Sequence, residues 1–547
     1  MSNYSTIHVF TKPGCPYCAR AKAVLTEAGL PYEQHDVTAS QRDADSSIYA
    51  SGVATVPQIF LGDYHINGAE DLEALQRSSC LSALMRATVG SDLKLGKVSD
   101  AELARGAEDV LLRESILGSD GSRDDDPEAW PLLRFYKQFF GFWPNCFKYM
   151  HPWPEAYKLF VYCHNMSAVK MAKEILGDTM MYASAFATSN AHGCNYCQVH
   201  SAATGDEESV DVVKQLKAAQ KGDFSGLIGP FEVALAELAA AATTNRVTPE
   251  LMAQIRELAP QGRGPNQNAD QNIMGIGLIV AAFGFLNVFN DLTGVEVEGG
   301  WMQKGKEAGI DAGRHGSGEA NPSNLDYDIP EGGPSIPELF TKYEGAVGDL
   351  ETYVEHEFGV MPAWFSAFPP QVRKRHAYLY GEMVGEREHT LFSAELKHLM
   401  LRVSAIARGH DTLASDESFM AHHTSQNSAT TIKRIRQCFA VATGRAEEKG
   451  LFDEREKVAL QLAWLSAQQP LTTPRRFVQS VIDMFEPTEL VHLITVCSIG
   501  SMVQRFTAVA KPENAPKVAA FMENNSLETE TLAVRYPTPA ASLAGIS

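Results

Sequence analysis

The first 85 residues alternate short apolar runs with polar positions, in the manner of a small α/β fold. The strand-like runs read "IHVFTK", "YEQHDV" and "VPQIFLG" in that order. Helical spacing follows the first run in "ARAKAVLTEAG", and a last helix begins near "GAEDLEAL". The order strand, helix, strand, strand, helix predicts one α/β domain over residues 1–85.

Beyond residue 129 the apolar positions recur at helical spacing, with much Ala, Leu, Glu and Met and few β-branched runs. This pattern predicts two all-α domains, at 130–310 and 338–525. The stretches between and after the domains are read as a linker with a short helix at 86–129, a second linker at 311–337 and a C-terminal tail at 526–547. The chain is therefore predicted to be multidomain.

The two helical segments resemble each other. "FEVALAELAAAATTNRVTP" at 231–249 aligns without a gap on "EKVALQLAWLSAQQPLTTP" at 456–474, sharing its Val-Ala-Leu and Thr-Pro positions. A similar aromatic and proline-containing entry precedes each segment, "FWPNCFKYMHP" at 142–152 and "FGVMPAWFSAFPP" at 358–370. We interpret the match as an internal duplication.

Size and charge narrow the class of protein. The 547 residues are 44% hydrophobic and 21% charged, as in soluble globular proteins, and the formal net charge of −20 argues against binding to nucleic acid or to anionic membranes. The start, "MSNYSTIHVF", does not resemble a secretory signal. The apolar stretch Ile273–Phe289 is short for a membrane span and contains Asn287, so we predict a buried helix and a cytoplasmic protein without a transmembrane segment.

Four of the nine cysteines form two C-x-x-C pairs, Cys15 with Cys18 and Cys194 with Cys197. An odd number of cysteines without a secretory signal indicates reduced thiols, and the two pairs are candidates for redox or metal centres. The other five are predicted to pack in the core.

The first pair lies where a strand turns into a helix. Pro16 suits the first helical position, and both the helix N-terminus and Lys12 favour a thiolate. Cys15 is thus the predicted nucleophile, with Cys18 as its resolving partner. Pro57 in "TVPQIF" could present backbone to a substrate thiol as a cis proline, and "HINGAEDL" offers helix-start amides suited to a carboxylate.

Together these motifs resemble a glutaredoxin over nearly all of residues 1–85, which implies a thioredoxin-like fold and glutathione as the reductant. Carried over residue by residue, the resemblance implies a glutathione site of Lys12, Cys15, Tyr17, Thr55, Val56, Pro57, Gly68, Ala69 and Glu70. Asn67 stands where the family has the first of two glycines, a departure that bears on glutathione affinity. Dithiol glutaredoxins can also hold an iron–sulfur cluster, and the sequence leaves this open.

Spacing also suggests roles in the second pair. Cys194 and Cys197 share a face of a helix, and His200 follows one turn after Cys197, where an imidazole could take the thiol proton. Cys197 is therefore the predicted nucleophile and Cys194 the resolving thiol.

The stretch "SNAHGCNYCQVHS" and the downstream "FLNVFNDLTG" are similar to the AhpD-like alkylhydroperoxidase and carboxymuconolactone decarboxylase family. In that family the cysteine nearer the histidine attacks a peroxide, and the other closes the disulfide and receives the reductant's attack. Two positions depart from the family: Ser201 replaces its histidine and Tyr182 its upstream glutamate. His200, with Tyr182 or His192, is the expected substitute relay.

The second helical segment contains "SDESFMAHH" at 415–423, in which Ser415, Ser418 and His422 keep the family spacing without thiols. A serine pair cannot form a disulfide. This copy is therefore expected to be inactive in redox chemistry and retained for packing, the alternative being an accidental match.

The main hypothesis is a glutathione-linked thiol–disulfide oxidoreductase and peroxidase. The glutaredoxin dithiol would reduce the second C-x-x-C, which would reduce hydroperoxides or disulfides, and tethering would supply about millimolar effective concentration. We expect no metal and a homo-oligomer formed through the AhpD-like region. Three alternatives remain open: a zinc module using His192, Cys194, Cys197 and His200, a cofactor-free decarboxylase, and a redox-sensing scaffold.

Overall fold

The computed structural model describes residues 5–117, 126–316, 330–425, 427–445 and 448–537. Residues 118–125 and 317–329, within the two predicted linkers, lie outside these ranges. The chain divides into two compact units. The first combines Met1–Val110 with Gln468–Ser480 and Glu530–Ser547, and the second combines Leu111–Ala467 with Val481–Thr529.

The first unit has a four-stranded sheet in the order β2-β1-β3-β4, with β1 parallel to β2 and antiparallel to β3, and β3 antiparallel to β4. The strands are β1 Ile7–Thr11, β2 Glu33–Asp36, β3 Gln58–Leu61 and β4 Tyr64–Asn67. The helices are α1 Pro16–Glu27, α2 Gln41–Ser51, α3 Ala69–Arg77, α4 Leu81–Ala87 and α5 Asp100–Ala107. The predicted α/β, thioredoxin-like class of this domain is confirmed. Strand β4 and helices α2 and α4 add to the predicted elements, and α5 lies in the stretch read as a linker with a short helix.

Apolar side chains on one face of the sheet explain how these elements pack. Ile7 and Val9 of β1, with Ile59 of β3, are almost fully buried against Leu25 of α1 and Leu72 of α3. Alternation along the strands directs these side chains to the helices. The core therefore fixes the starts of α1 and α3 beside the sheet.

The second unit is helical, as predicted. Its first half contains α6 Arg113–Leu117, α7 Trp130–Phe140, α8 Asn145–Met150, α9 Glu155–Leu159, a π-helical turn Phe160–Val169, α10 Lys170–His192, α11 Asn195–Ala203, α12 Asp206–Ala219, α13 Pro230–Thr243, α14 Pro249–Leu258, α15 Ala269–Thr293 and α16 Gly299–Glu307.

Its second half contains α17 Ile336–Val347, α18 Leu350–Phe358, α19 Ala363–Ser366, α20 Arg373–Val384, α21 Ala394–Ala407, α22 Asp411–Thr424, α23 Ser428–Ala442, α24 Glu454–Ser466, α25 Arg475–Met484, α26 Pro487–Ala510 and α27 Pro516–Asn524. Helix α25 begins in the segment assigned to the first unit. A last short helix, α28 Thr531–Arg535, belongs to the first unit.

The matched segments of the two halves have matched structures. The aligned segments form α13 and α24, and each leads through Thr-Pro into a following helix. Pro144 and Pro362 each precede a short helix whose first amide donates to a buried carboxylate: Asn145 N lies 2.5 Å from Glu298 Oε1, and Ala363 N lies 2.7 Å from Asp416 Oδ2. These shared arrangements support the duplication.

Helices α15 and α26 are both long and apolar enough to cross a bilayer, but 83% and 94% of their most apolar windows are buried inside the protein. Such burial is that of core helices, and the predicted buried helix at Ile273–Phe289 is confirmed. A Cβ at Gly284 would lie 2.8 Å from the carbonyl oxygen of Ser501. Glycine therefore permits the close approach of α15 to α26.

A buried lysine in α21 makes stability depend on pH. Lys397 is fully buried and donates to the carbonyl oxygen of Gly385 at 2.7 Å, and burial lowers its pKa to about 7. Since the unfolded lysine has a pKa of about 10.4, the unfolded state binds more protons between these values, and the free energy of unfolding rises with pH there.

We expect Lys397→Met to abolish this rise, measured as the difference between urea unfolding free energies at pH 6.5 and pH 9. Lys433→Met, at an exposed ion pair with Glu448, is the control and should keep the rise. An unchanged rise in the Lys397 variant would contradict the assignment.

Candidate active sites

The first dithiol lies at the N-terminus of α1. Cys15 is the N-cap residue, and its sulfur accepts from the amide of Cys18 at 3.1 Å. The two cysteines form a disulfide, with Cα atoms 5.3 Å apart. Cys15 is 9% exposed and lines a cavity of about 350 Å³ together with Lys12 and Cys18, whereas Cys18 is 1% exposed. The more accessible sulfur is thus the predicted nucleophile.

Two other chain segments meet this helix start. Cys15 Sγ lies 3.6 Å from the carbonyl oxygen of Val56, and the Val56–Pro57 peptide bond is cis, as the sequence suggested. A Cβ at Gly68 would lie 3.7 Å from the carbonyl oxygen of Pro57, so the start of α3 lies beside the same proline. Cys15, Val56, Pro57 and Gly68 are therefore brought together.

The remaining residues of the predicted glutathione site surround this centre with different accessibility. Thr55 and Glu70 are exposed, Tyr17 is 44% exposed and Ala69 is buried. Gly68 is the N-cap of α3 and provides no side-chain cap, so the first amides of that helix have no capping oxygen from it. The helix start suits a ligand carboxylate.

The second dithiol repeats the local geometry of the first. Cys194 is the N-cap residue of α11, and its sulfur accepts from the amide of Cys197 at 3.4 Å. Gly193, at φ 98°, ends α10 in the left-handed region and allows the sharp turn into α11. The two N-cap cysteines differ in exposure, because Cys194 is completely buried whereas Cys15 is 9% exposed.

Cys197 faces a largely apolar cavity of about 180 Å³. The cavity wall also includes His200, Cys146, Tyr182 and Trp301, whereas Cys194 lies behind it. The side chain of Asn290 donates to Cys197 Sγ from 3.3 Å. The cavity and this contact support Cys197 as the reacting thiol.

His200 has a carboxylate partner that the sequence analysis missed. Its Nε2 lies 2.7 Å from Glu298 Oε2, and its ring packs against Tyr196 and Trp301. Burial opposes ionisation of Glu298, but His200 and the amide of Asn145 outweigh it and lower the pKa of Glu298. The ionised carboxylate orients the imidazole beside the cavity.

The expected substitutes have other partners. Ser201, at the family's histidine position, donates to the carbonyl oxygen of Cys197. Tyr182 lines the cavity, while His192 Nε2 lies 3.2 Å from Asp291 Oδ2. The expectation that Tyr182 or His192 completes the relay of His200 is thus replaced by a His200–Glu298 pair.

Cys194 lies near a separate buried charged group. Asp291 contacts His192 on one side and His315 on the other, with Oδ1 2.9 Å from His315 Nε2. Burial opposes ionisation of Asp291, but the hydrogen bonds from the two histidines outweigh it and hold its pKa well below its usual value. Burial and then Cys197 and Asp291 raise the pKa of Cys194. Cys194 therefore remains a neutral thiol, as a resolving cysteine should.

The second half of the unit contributes to this group. Arg505 of α26 is buried and donates to His192 Nδ1 from 3.0 Å and to Asn287 Oδ1 from 2.7 Å. Because an arginine only donates, His192 accepts at Nδ1, which places its proton on Nε2, 3.2 Å from Asp291 Oδ2. The second copy, which has no dithiol, therefore does more than pack against the first copy. Its Arg505 supplies a cation to the buried group near Cys194.

By helix position, the residues of the second copy that match Cys194 and Cys197 differ from the serines read from the sequence. His410 is the N-cap of α22, as Cys194 is of α11, and each follows a glycine of positive φ, Gly409 and Gly193. Ser415 and Ser418 lie further inside α22. Neither alignment places a thiol pair there.

Two groups of three metal-ligating residues occur in the described part of the chain. One is His8, Glu33 and His35 at the sheet, and the other is Cys194, Asp291 and His315, whose ligand atoms lie within 4.8 Å of one another. The zinc set His192, Cys194, Cys197 and His200 is not among these groups. The second group is a more compact alternative.

The missed residues share a sequence signal. Asp291 and Arg505 are charged residues inside the apolar helices α15 and α26, and Glu298 follows in "GVEVEGG". A charge buried in an apolar helix is costly unless it is paired. That signal marks the residues without naming their partners.

Comparison with known proteins concerns the N-terminal part. The family model "Glutaredoxin" matches residues 7–66. The hybrid peroxiredoxin hyPrx5 of Haemophilus influenzae is 47% identical over 72 residues, covering 12% of this chain and 28% of that protein. Glutaredoxin 3 of Escherichia coli K12 is 37% identical over 82 residues, 15% of this chain and 99% of that protein. A glutaredoxin solution structure from Brucella melitensis shares 38% identity over 16% of this chain and 92% of its own, with a TM-score of 0.15.

Proposed function

Because the N-terminal domain of this chain belongs to the glutaredoxin family, we propose that the protein is a glutathione-linked peroxidase in which Cys15 supplies electrons to the dithiol of the helical unit. The substrate is a hydroperoxide that enters the cavity at Cys197. The AhpD-like assignment of the helical region and a cytoplasmic location belong to the same proposal.

The observation that carries the proposal is the division of roles at the second dithiol. Cys197 lines the cavity and accepts a hydrogen bond from Asn290, whereas Cys194 is buried with a raised pKa. One sulfur is placed to meet a substrate and the other to stay protonated until it is needed. The name of the Haemophilus relative, a hybrid peroxiredoxin, agrees with a glutaredoxin joined to peroxide chemistry.

The oxidative steps follow from these roles. His200, oriented by Glu298, takes the proton of Cys197, and the thiolate attacks one peroxide oxygen. The O–O bond breaks and Cys197 becomes a sulfenic acid. His200 returns the proton to the departing alkoxide, which leaves as an alcohol. Cys194 then attacks the sulfenic sulfur, which forms the disulfide and releases water.

The thiols of Cys15 and Cys18 reduce the Cys194–Cys197 disulfide back to two thiols. Since Cys197 rather than Cys194 lines the cavity, the reducing thiolate is expected to attack Cys197 first, in contrast to the family expectation. Cys18 then attacks the mixed disulfide between Cys15 and Cys197 and releases Cys197. For each peroxide reduced, the two thiols of Cys15 and Cys18 thus become one disulfide. Glutathione recharges the Cys15–Cys18 pair, and the joining of both dithiols in one chain gives about millimolar effective concentration.

The test is NADPH-coupled reduction of cumene hydroperoxide with glutathione and glutathione reductase. We expect Cys15→Ser to lose at least about 100-fold of this rate while keeping most of the rate with dithiothreitol, because only the route from glutathione is cut. Cys438→Ser, at a buried thiol remote in sequence from both pairs, is the control. Equal loss with both reductants, or no loss, would contradict electron flow through Cys15.

A zinc site is the second candidate, favoured by the grouping of Cys194, Asp291 and His315. Thiolate, carboxylate and imidazole are all zinc ligands. Stoichiometric zinc in the purified protein, lost in His315→Ala but kept in His200→Ala, would support it. Peroxidase activity in metal-free protein would favour the redox proposal instead.

A further inference from the structure

The end of the described chain lies on the glutaredoxin domain. Leu532 packs on the core of that domain, and Tyr536 is 4% exposed within the same cluster. Tyr64 of β4 donates to the carbonyl oxygen of Arg535 at 2.7 Å. The segment read as a tail is therefore a built part of the first unit.

Arg535 and Tyr536 of this segment bind a carboxylate at the start of α3. Arg535 Nη1 lies 2.8 and 2.7 Å from the two oxygens of Asp71, and Tyr536 Oη lies 2.6 Å from Oδ2. The Arg535 and Asp71 side chains are only 12% and 17% exposed. This ion pair is thus shielded from solvent, unlike most surface pairs.

Asn67 joins the same group. Its Nδ2 donates to Asp71 Oδ2 at 2.8 Å and to Tyr536 Oη at 3.1 Å. Its φ of 58° lies in the left-handed region that favours glycine, so these hydrogen bonds help to hold an asparagine there. The turn into α3 and the C-terminal segment are therefore tied together.

We propose that Arg535 and Tyr536 are positioning residues of the glutathione site, which neutralise Asp71 so that the uncapped start of α3 can hold a glutathione carboxylate. The inference rests on the proposed use of glutathione. Glu70 and Asp71 place two negative charges in the first turn, where a ligand anion would otherwise be favoured by the helix dipole. Pairing Asp71 with Arg535 removes one of these repulsions.

The experiment uses the full chain and a peptide carrying glutathione as a mixed disulfide. Arg535→Ala leaves Asp71 without its cation, and we expect KM for this peptide to rise about three- to tenfold with kcat within twofold. Adding Asp71→Asn should bring KM back to within about twofold of the starting value, because no unpaired carboxylate remains. Arg77→Ala, at an exposed site on the same helix, is the control and should leave KM unchanged.

Each outcome decides the question. A KM for Arg535→Ala equal to that of Arg77→Ala overturns the inference. A loss that persists in the double variant, or that falls mainly on kcat, also overturns it, because it reports damage to the fold rather than charge. If the unaltered chain does not turn over the glutathione mixed disulfide but reduces other disulfides, the proposed glutathione use itself fails, which is a different result from any change in the ratio of KM values.

Discussion

Cys197→Ser is expected to reduce hydroperoxide turnover by at least about a thousandfold, with either glutathione or dithiothreitol as reductant. The reason is chemical, since a serine hydroxyl neither ionises near neutral pH nor attacks a peroxide. Cys194, the other thiol of the pair, does not line the cavity, and burial raises its pKa and keeps it neutral. The measurement is steady-state consumption of cumene hydroperoxide.

Two neighbouring thiols serve as controls for this prediction. Cys146 also lines the cavity, but burial raises its pKa, so Cys146→Ser should lose less than about threefold. Cys194→Ser should consume one peroxide per chain and stop, leaving a sulfenic acid that dimedone traps at Cys197. Multiple turnovers in Cys197→Ser, or no initial consumption in Cys194→Ser, would reverse or remove the assigned roles.

Asp291→Ala is expected to lower the free energy of unfolding of the helical unit by about 3–5 kcal/mol, because the removal of one member of a buried charged group leaves the others uncompensated. His315 lies 2.8 Å from Val295 O through Nδ1 and 2.9 Å from Asp291 Oδ1 through Nε2. His192 and Arg505 complete the group. Urea unfolding followed by circular dichroism measures the loss.

The conservative variant sharpens this prediction. In Asp291→Asn the amide can donate to a neutral His315 and accept from His192, so about half or less of the alanine loss is expected. Asp270→Asn, on the same helix at a side chain 76% exposed, should change stability by less than about 0.5 kcal/mol. Equal stability of Asp291→Ala and the unaltered protein would refute the role of the group.

The sequence signals that bring Cys15, Pro57 and Gly68 together in the N-terminal domain are local. Cys15, Cys18 and Pro16 specify a helix start, and Pro57 follows its Thr-Val pair directly. The strands and helices of a small α/β unit then leave few ways to bring these segments together. What local reading missed is the contribution of Arg535 and Tyr536, since composition alone describes that region as a tail.

In the helical half the thiols and His200 are also local, whereas their partners are distant. Glu298, Asp291 and Arg505 come from three different parts of the chain, and helical periodicity shows that a residue is buried without showing what it meets. The second copy shows the same limit. Ser415 and Ser418 match the spacing of the C-x-x-C motif. The N-cap position of the helix, however, which Cys194 occupies in the first copy, is occupied by His410 in the second.

The assembly of the first unit from three separated segments has a consequence for synthesis on the ribosome. Residues 1–110 emerge well before Arg535 and Tyr536, which complete the contacts at Asp71. Until that point Asp71 has no Arg535 to pair with. Chains that stop before residue 535 would therefore lack the Arg535–Asp71 pair, and the proposed role of that pair predicts weaker glutathione capture in such chains.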